Sequence, residues 1–142
     1  MLLNISYNNP TQKKDIEEAV GKPFSLQNRW KLGGIGSQKL IISSASINIY
    51  NLLILDQNIN SCNVELRPKG IIIRFRSLLE TYGLIVPYFK LKLYKGKAQE
   101  YSIYLDDCFV KVIADKPGIH KFFKKVISQK IINSPPSIEN HL

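Results

Sequence analysis

Cysteine occurs twice in this sequence, methionine and tryptophan once each, and acidic residues number 11 against 20 lysines and arginines. Cys62 and Cys108 have no second cysteine or histidine nearby at metal-ligand spacing, which excludes a zinc knot or a disulfide framework as the device holding the chain together. Both read as small apolar core residues. Uninterrupted apolar runs are short, Leu52 to Leu55 being typical, against the roughly 20 residues a membrane-spanning helix needs. Met1 to Pro10 form neither a basic first region nor a sustained apolar one, so no secretory signal is read and a cytoplasmic location is expected.

Catalytic signatures are equally scarce. Gly33-Gly34-Ile35-Gly36 lacks the Lys-Ser/Thr ending of a phosphate loop and reads as a flexible connection. His120 and His141 have no cysteine, serine or carboxylate partner defined by spacing. Asp106 and Asp107 are neighbours, which in a strand would send them to opposite faces, and a turn suits them better than an acid/base pair. The expectation is a protein that is not an enzyme and calls for no metal and no cofactor.

What the chain does hold is a globular composition, 44% apolar and 22% charged over 142 residues, enough for one domain with a continuous core. Asn9-Pro10 is a cap followed by a proline at the first helical position, and Gly21 ends that short helix. A second short helix is expected near Ser25, with Leu26, Trp30 and Phe24 as anchors. The β-branched and bulky residues from Lys39 to Asp56 favour strands, interrupted at Ser43 to Ser46, and Asp56 to Ser61 reads as a turn. Arg67-Pro68-Lys69-Gly70 has proline at the second turn position and glycine at the fourth, where a positive φ is often needed. The next strand then sends Ile71, Ile73 and Phe75 to the core and Ile72, Arg74 and Arg76 to the other face. Ser77 to Gly83 is expected as a longer connection. Leu84 to Val86 re-enter as strand before Pro87, and Phe89, Leu91 and Leu93 alternate with Lys90, Lys92 and Tyr94. Tyr101, Ile103 and Leu105 face inward on a further strand that turns at Asp106-Asp107 into Phe109 to Ala114. The closing helix carries Ile119, Phe122, Phe123, Val126, Ile127 and Ile131 at helical spacing, with lysines opposite and Pro135-Pro136 beyond.

Strands in hairpins followed by one amphipathic helix make an α+β order in which the helix covers an open end of a bent sheet. The run Leu66 to Arg76, the segment Gly83 to Tyr88, the hairpin through Asp106-Asp107 and the final helix resemble the pleckstrin-homology-like (PH-like) fold, particularly its small bacterial members. That resemblance implies a bent antiparallel sheet or half-open barrel of about seven strands over residues 47–132. A short helical lead over 1–46 would pack on this domain, and 133–142 would be a disordered tail. It also implies a binding module: some members take phosphoinositide headgroups and many take proteins or peptides. The lipid-binding subset places a lysine and then Lys/Arg-x-Arg across the first hairpin, a pattern similar to Lys69 with Arg74-Phe75-Arg76.

Residues 66–99 contain eight lysines and arginines against Glu80 alone, so core and charge fall in one segment. Lys69, Arg74, Arg76, Lys90 and Lys92 are the candidate anion-binding residues: outward on two strands, they either align as a cationic stripe or stand apart as solvated side chains. A protein is the leading partner, an anionic membrane surface the alternative, and nucleic acid the lesser one, with Tyr82, Tyr88 and Tyr94 as candidate stacking residues. A homodimer through a strand edge is compatible with the same pattern.

Overall fold

The structure, a computed structural model, describes residues 1–55, 60–96 and 99–133. Its order is β1 (Leu2–Asn4), α1 (Pro10–Val20), α2 (Leu26–Leu32), β2 (Leu40–Ala45), α3 (Ile47–Leu53), β3 (Ser61–Arg67), β4 (Gly70–Ser77), β5 (Glu80–Pro87), β6 (Lys92–Lys95), β7 (Glu100–Leu105), β8 (Cys108–Ile113) and α4 (Pro117–Asn133). Eight strands form one antiparallel α+β sheet in the order β1-β5-β4-β3-β2-β8-β7-β6, where about seven were expected, with β1 and β6 at its edges. β2 joins the two halves. Leu40 and Ile41 pair with Cys62 and Ser61 of β3, whereas Ile42, Ser44 and Ala45 pair with Val112, Lys111 and Val110 of β8, with a bulge between Ile42 and Ser44 that bends the strand where it changes partners. The segment expected as a lead, 1–46, therefore contributes β1 and the central β2. The tail expected over 133–142 falls outside the described residues from 134 onward, as does Pro135-Pro136, and Asn133 itself ends α4.

Inward side chains follow the pleat. Val64, Leu66, Ile71, Ile73, Phe75, Leu84, Val86, Tyr101, Ile103, Leu105, Val110 and Val112 form the main cluster, closed by Ile119, Phe122, Phe123 and Val126 of α4. On the other face of β4 and β5, Ile72 and Ile85 are buried against Val20 of α1. Asn9 caps α1 by accepting from the Thr11 and Gln12 amides, and Gly21 follows its end at φ +89. Ser25 caps α2 and Gly33 ends it in the left-handed region.

Several expectations fail for identifiable reasons. Residues 47–53 are helical although Ile and Leu dominate them, because Ile49 and Leu53, one turn apart, enter the core. Burying two such side chains is worth about 1.5–3 kcal/mol each, against a few tenths lost to helix propensity. β2 continues through the serines, and Ser46 opens α3 while exchanging hydrogen bonds with the backbone of Phe109. The expected turn from Asp56 lies outside the described residues over 56–59. β4 and β5 run on to Ser77 and from Glu80, so a two-residue turn replaces the longer connection. After Pro87 a tight turn, with the Leu91 amide bonded to Pro87 O at 3.0 Å, breaks the alternation: Tyr88 is buried and Phe89 is 78% exposed. Leu26 and Trp30 do not anchor α2, Trp30 being 87% exposed, and Phe24 packs on the core instead. Ile127 and Ile131 of α4 lie beyond its buried stripe. Gly70 closes the turn as expected but for a different reason: its φ is not positive, and a Cβ there would meet Val86 O at 2.4 Å and Val20 Cγ1 at 2.6 Å.

Candidate functional site

The five cations read from the sequence do not share one concavity. Lys69 is exposed at the β3–β4 turn, its backbone amide donating to Val20 O at 2.8 Å, and seven strand residues, roughly 20 Å, separate it from Arg76. Lys90 follows β5 and faces Asp106 at 3.7 Å, in a cavity that Asp15 and Glu18 also line. Lys92 is exposed on the edge strand β6. Only Arg74 and Arg76 come together. They line an open groove of about 870 Å³ at the end of the β3–β4 hairpin opposite the Pro68-Lys69 turn.

The pleat and register build this groove. Cys62 and Asn63 of β3 lie opposite Phe75 and Arg74, and Arg76 lies opposite Thr81 of β5. Lys39, just before β2, and Leu53 of α3 reach it from the other side, and Leu78 and Leu79 form its lip. Among the described lining residues there are three cations and no carboxylate, with asparagine, serine and threonine between them. Such a wall attracts anionic groups and gives them amide and hydroxyl partners, while the leucines offer an apolar contact.

Arg74 arrives at the groove already tethered. The Glu65 carboxylate accepts from Arg67 Nε at 2.5 Å and also from Arg74 Nη1. The Arg67 side chain is only 9% exposed, and its Nη1 also donates to Gly21 O at 3.0 Å. Burial alone would raise the Glu65 carboxyl, but the hydrogen bond from Arg67 and the charges of both arginines outweigh it and hold its pKa below the ordinary value. One acid thus serves two arginines, and the triad keeps a net positive charge.

The lip is unusual in chemistry. Leu78 sits at φ +57 in the two-residue turn, a conformation that costs a non-glycine residue about 1–2 kcal/mol and that such turns normally assign to glycine, asparagine or aspartate. Leu79 beside it is 88% exposed. Ser77 Oγ donates to Leu52 O at 2.5 Å and ties this turn to the end of α3, where Ile54 and Leu55 are also exposed. Strain and exposed apolar surface therefore coincide beside the cations.

The remaining reactive groups have structural settings. Burial raises the Cys62 thiol to about 12, so it is protonated at neutral pH; Cys108, half-buried where full burial was expected, lies 3.2 Å from Asn48 Nδ2. Tyr101 Oη and His120 Nδ1 are 3.0 Å apart, and the Tyr101 ring stacks on Phe123. Lys125 donates to Gly33 O and Lys130 to Tyr88 O, so two lysines of the expected wet face of α4 fasten that helix to neighbouring loops. His141 lies outside the described residues. Among the described residues no group of three or more His, Cys, Asp or Glu is placed to hold a metal ion, and no helix is long and apolar enough to cross a membrane.

Sequence reasoning missed Lys39, Leu78, Leu79 and Glu65. The pair Leu78-Leu79 between two strand-like runs was a usable signal once the turn was read as two residues long; Glu65, two residues before Arg67 on one strand, offered a local signal for that pair, whereas only packing across the strands brings it to Arg74. No protein-family model matches the chain, and no curated protein or solved structure matches it significantly.

Proposed function

We propose that the protein is a non-enzymatic binding module whose partner is another protein, held through an acidic and apolar segment in the groove between α3 and the ends of β3 and β4. The observation that carries this reading is the lining itself: Lys39, Arg74 and Arg76 with no carboxylate among the described lining residues, beside two exposed leucines. Acidic side chains of the partner pair with the arginine forks, and an apolar side chain covers Leu78 and Leu79. The bent sheet, the strand switch in β2 and the closing helix α4 support assignment to the PH-like fold as a half-open barrel. A cytoplasmic setting belongs to the same proposal.

A second reading has one observation in its favour. Two leucines on a strained turn tip, sharing a groove with Lys39, Arg74 and Arg76, also suit insertion into an anionic membrane surface, where each nearby lysine or arginine contributes about 1 kcal/mol. Selection from a random peptide library separates the two. The wild-type protein is expected to enrich peptides combining acids with bulky apolar residues, and Arg76→Glu or Leu79→Ser, both at exposed positions, to lose that enrichment. Vesicles rich in anionic lipid that sediment the wild-type protein, with no peptide enriched, would replace the protein partner by the membrane.

A further inference from the structure

A different face of the sheet carries its own chemistry. In β6, β7 and β8 the inward residues Tyr101, Ile103, Leu105, Val110 and Val112 are buried, and the outward ones fall in cross-strand ranks fixed by the register. One rank is Lys92, Tyr104 and Phe109; the next is Tyr94, Ser102, Lys111 and, on β2, Ser44. Two adjacent ranks therefore present three aromatic rings and two lysines without a carboxylate. Tyr94 and Tyr104 have ring centroids 5.6 Å apart and Tyr104 and Phe109 5.7 Å apart. Tyr94 is 57% exposed, and Lys111 Nζ lies 5.9 Å from the Phe109 centroid. The following rank brings Glu100, which accepts from Ser43 Oγ at 2.6 Å, and Asp106 at the β7–β8 turn faces Lys90.

We infer that the outer face of β6, β7 and β8 is a stacking platform for single-stranded nucleic acid. Unpaired bases lie against Tyr94, Tyr104 and Phe109 while phosphates run past Lys92 and Lys111. Rings on three neighbouring strands with cations in the same ranks supply the two things an unpaired strand needs, a π-surface for its bases and positive charge along its backbone. A duplex keeps its base faces covered and cannot use the rings. A neutral sugar can stack on them but leaves the lysines idle. The stacking residues differ from those expected of the sequence. Tyr82 is stacked on Phe75, and Tyr88 is buried with its hydroxyl donating to Arg67 O. Only Tyr94 of that set is available, and Tyr104 and Phe109 join it through pairing. None of the platform residues lines the groove that holds Arg76.

The test uses the full chain with a labelled short oligothymidylate, an abasic strand of the same length and polyglutamate. Fluorescence anisotropy is expected to give binding to the oligothymidylate at least about tenfold tighter than to the abasic strand, the scale of a single stacked base. Tyr94→Ala removes most of that difference, Lys92→Gln weakens both strands alike, and Arg76→Glu, in the separate groove, changes neither by more than about twofold. Tyr94 is exposed on an edge strand, so circular dichroism should report an intact fold. Equal affinity for base-bearing and abasic strands, no binding at low salt, or no effect of Tyr94→Ala would overturn the platform. Polyglutamate binding as tightly as the oligonucleotide would overturn it in favour of an acidic polypeptide, and loss of oligonucleotide binding in Arg76→Glu would move the nucleic acid to the groove.

Discussion

Replacing Glu65 by glutamine removes the one carboxylate that serves Arg67 and Arg74 while keeping its shape. Breaking a buried pair by deleting one partner costs about 3–5 kcal/mol, because the other charge is left buried and uncompensated. Arg67, with 9% of its side chain exposed, falls close to that limit but keeps its bond to Gly21 O, and glutamine still offers a neutral acceptor, so about 2–3 kcal/mol is expected from this contact. Arg74 is 34% exposed and adds less than about 1 kcal/mol after solvent screening. Urea unfolding of Glu65→Gln at neutral pH should therefore show a loss of about 3 kcal/mol at unchanged slope. The pH dependence fixes the sign independently. The folded pKa of Glu65 is depressed, so its contribution is present above its unfolded pKa, about 4.3, and disappears as pH falls through the folded value. The gap between wild type and Glu65→Gln must narrow on acidification through that window. Removing Arg67 as well, in Glu65→Leu with Arg67→Met, should recover more than half of the loss. A neutral-pH effect below about 1 kcal/mol, or a gap that widens in acid, would refute the triad as a stabilising unit.

Gly70→Ala should cost about 3 kcal/mol or more, the upper end of overpacking, because the new Cβ meets backbone at Val86 O and Pro87 as well as Val20; urea unfolding measures it, and a neutral substitution would show that the hairpin and α1 can separate cheaply. Cys62 should resist a thiol reagent at pH 8 until the protein unfolds, since burial holds its thiol near 12, while the half-buried Cys108 reacts first; mass spectrometry of the labelled peptides distinguishes the two. Phe89→Ser should change stability by no more than about 0.5 kcal/mol, as expected of an exposed side chain, and a larger loss would mean that Phe89 packs against something in solution.

Local chemistry made much of the fold legible. Asn9-Pro10, Gly21 and Ser25 set helix limits by hydrogen bonds within a few residues, and the Pro68-Lys69 turn fixed the register that sends Ile71, Ile73 and Phe75 inward. Where distant packing decides, the local signal misleads. Ile47, Ile49 and Tyr50 favour strands by propensity yet become helical because the burial of Ile49 and Leu53 outweighs it, and the turn at Pro87 to Leu91 turns Phe89 outward while Leu91 and Leu93 keep the inward parity expected of them. Charge suffered the same way. Counting cations from residue 66 onward left out Glu65 by one position, and that acid engages Arg67 and Arg74. The stripe imagined across Arg74, Arg76, Lys90 and Lys92 needed their strands to be neighbours, but β3, β2, β8 and β7 stand between β4 and β6. Two of the four remained together, and Lys39 joined them from a distant part of the chain.

The groove is tested most directly by following backbone amide chemical shifts of the labelled protein during titration with an acidic, apolar peptide taken from the library selection. Binding as proposed shifts Lys39, Asn63, Arg76, Leu78, Leu79 and Thr81 and leaves the outward positions of β6 to β8 unchanged. Saturable binding whose shifts fall elsewhere, with those six amides unmoved, would contradict the assignment of this groove as the docking site.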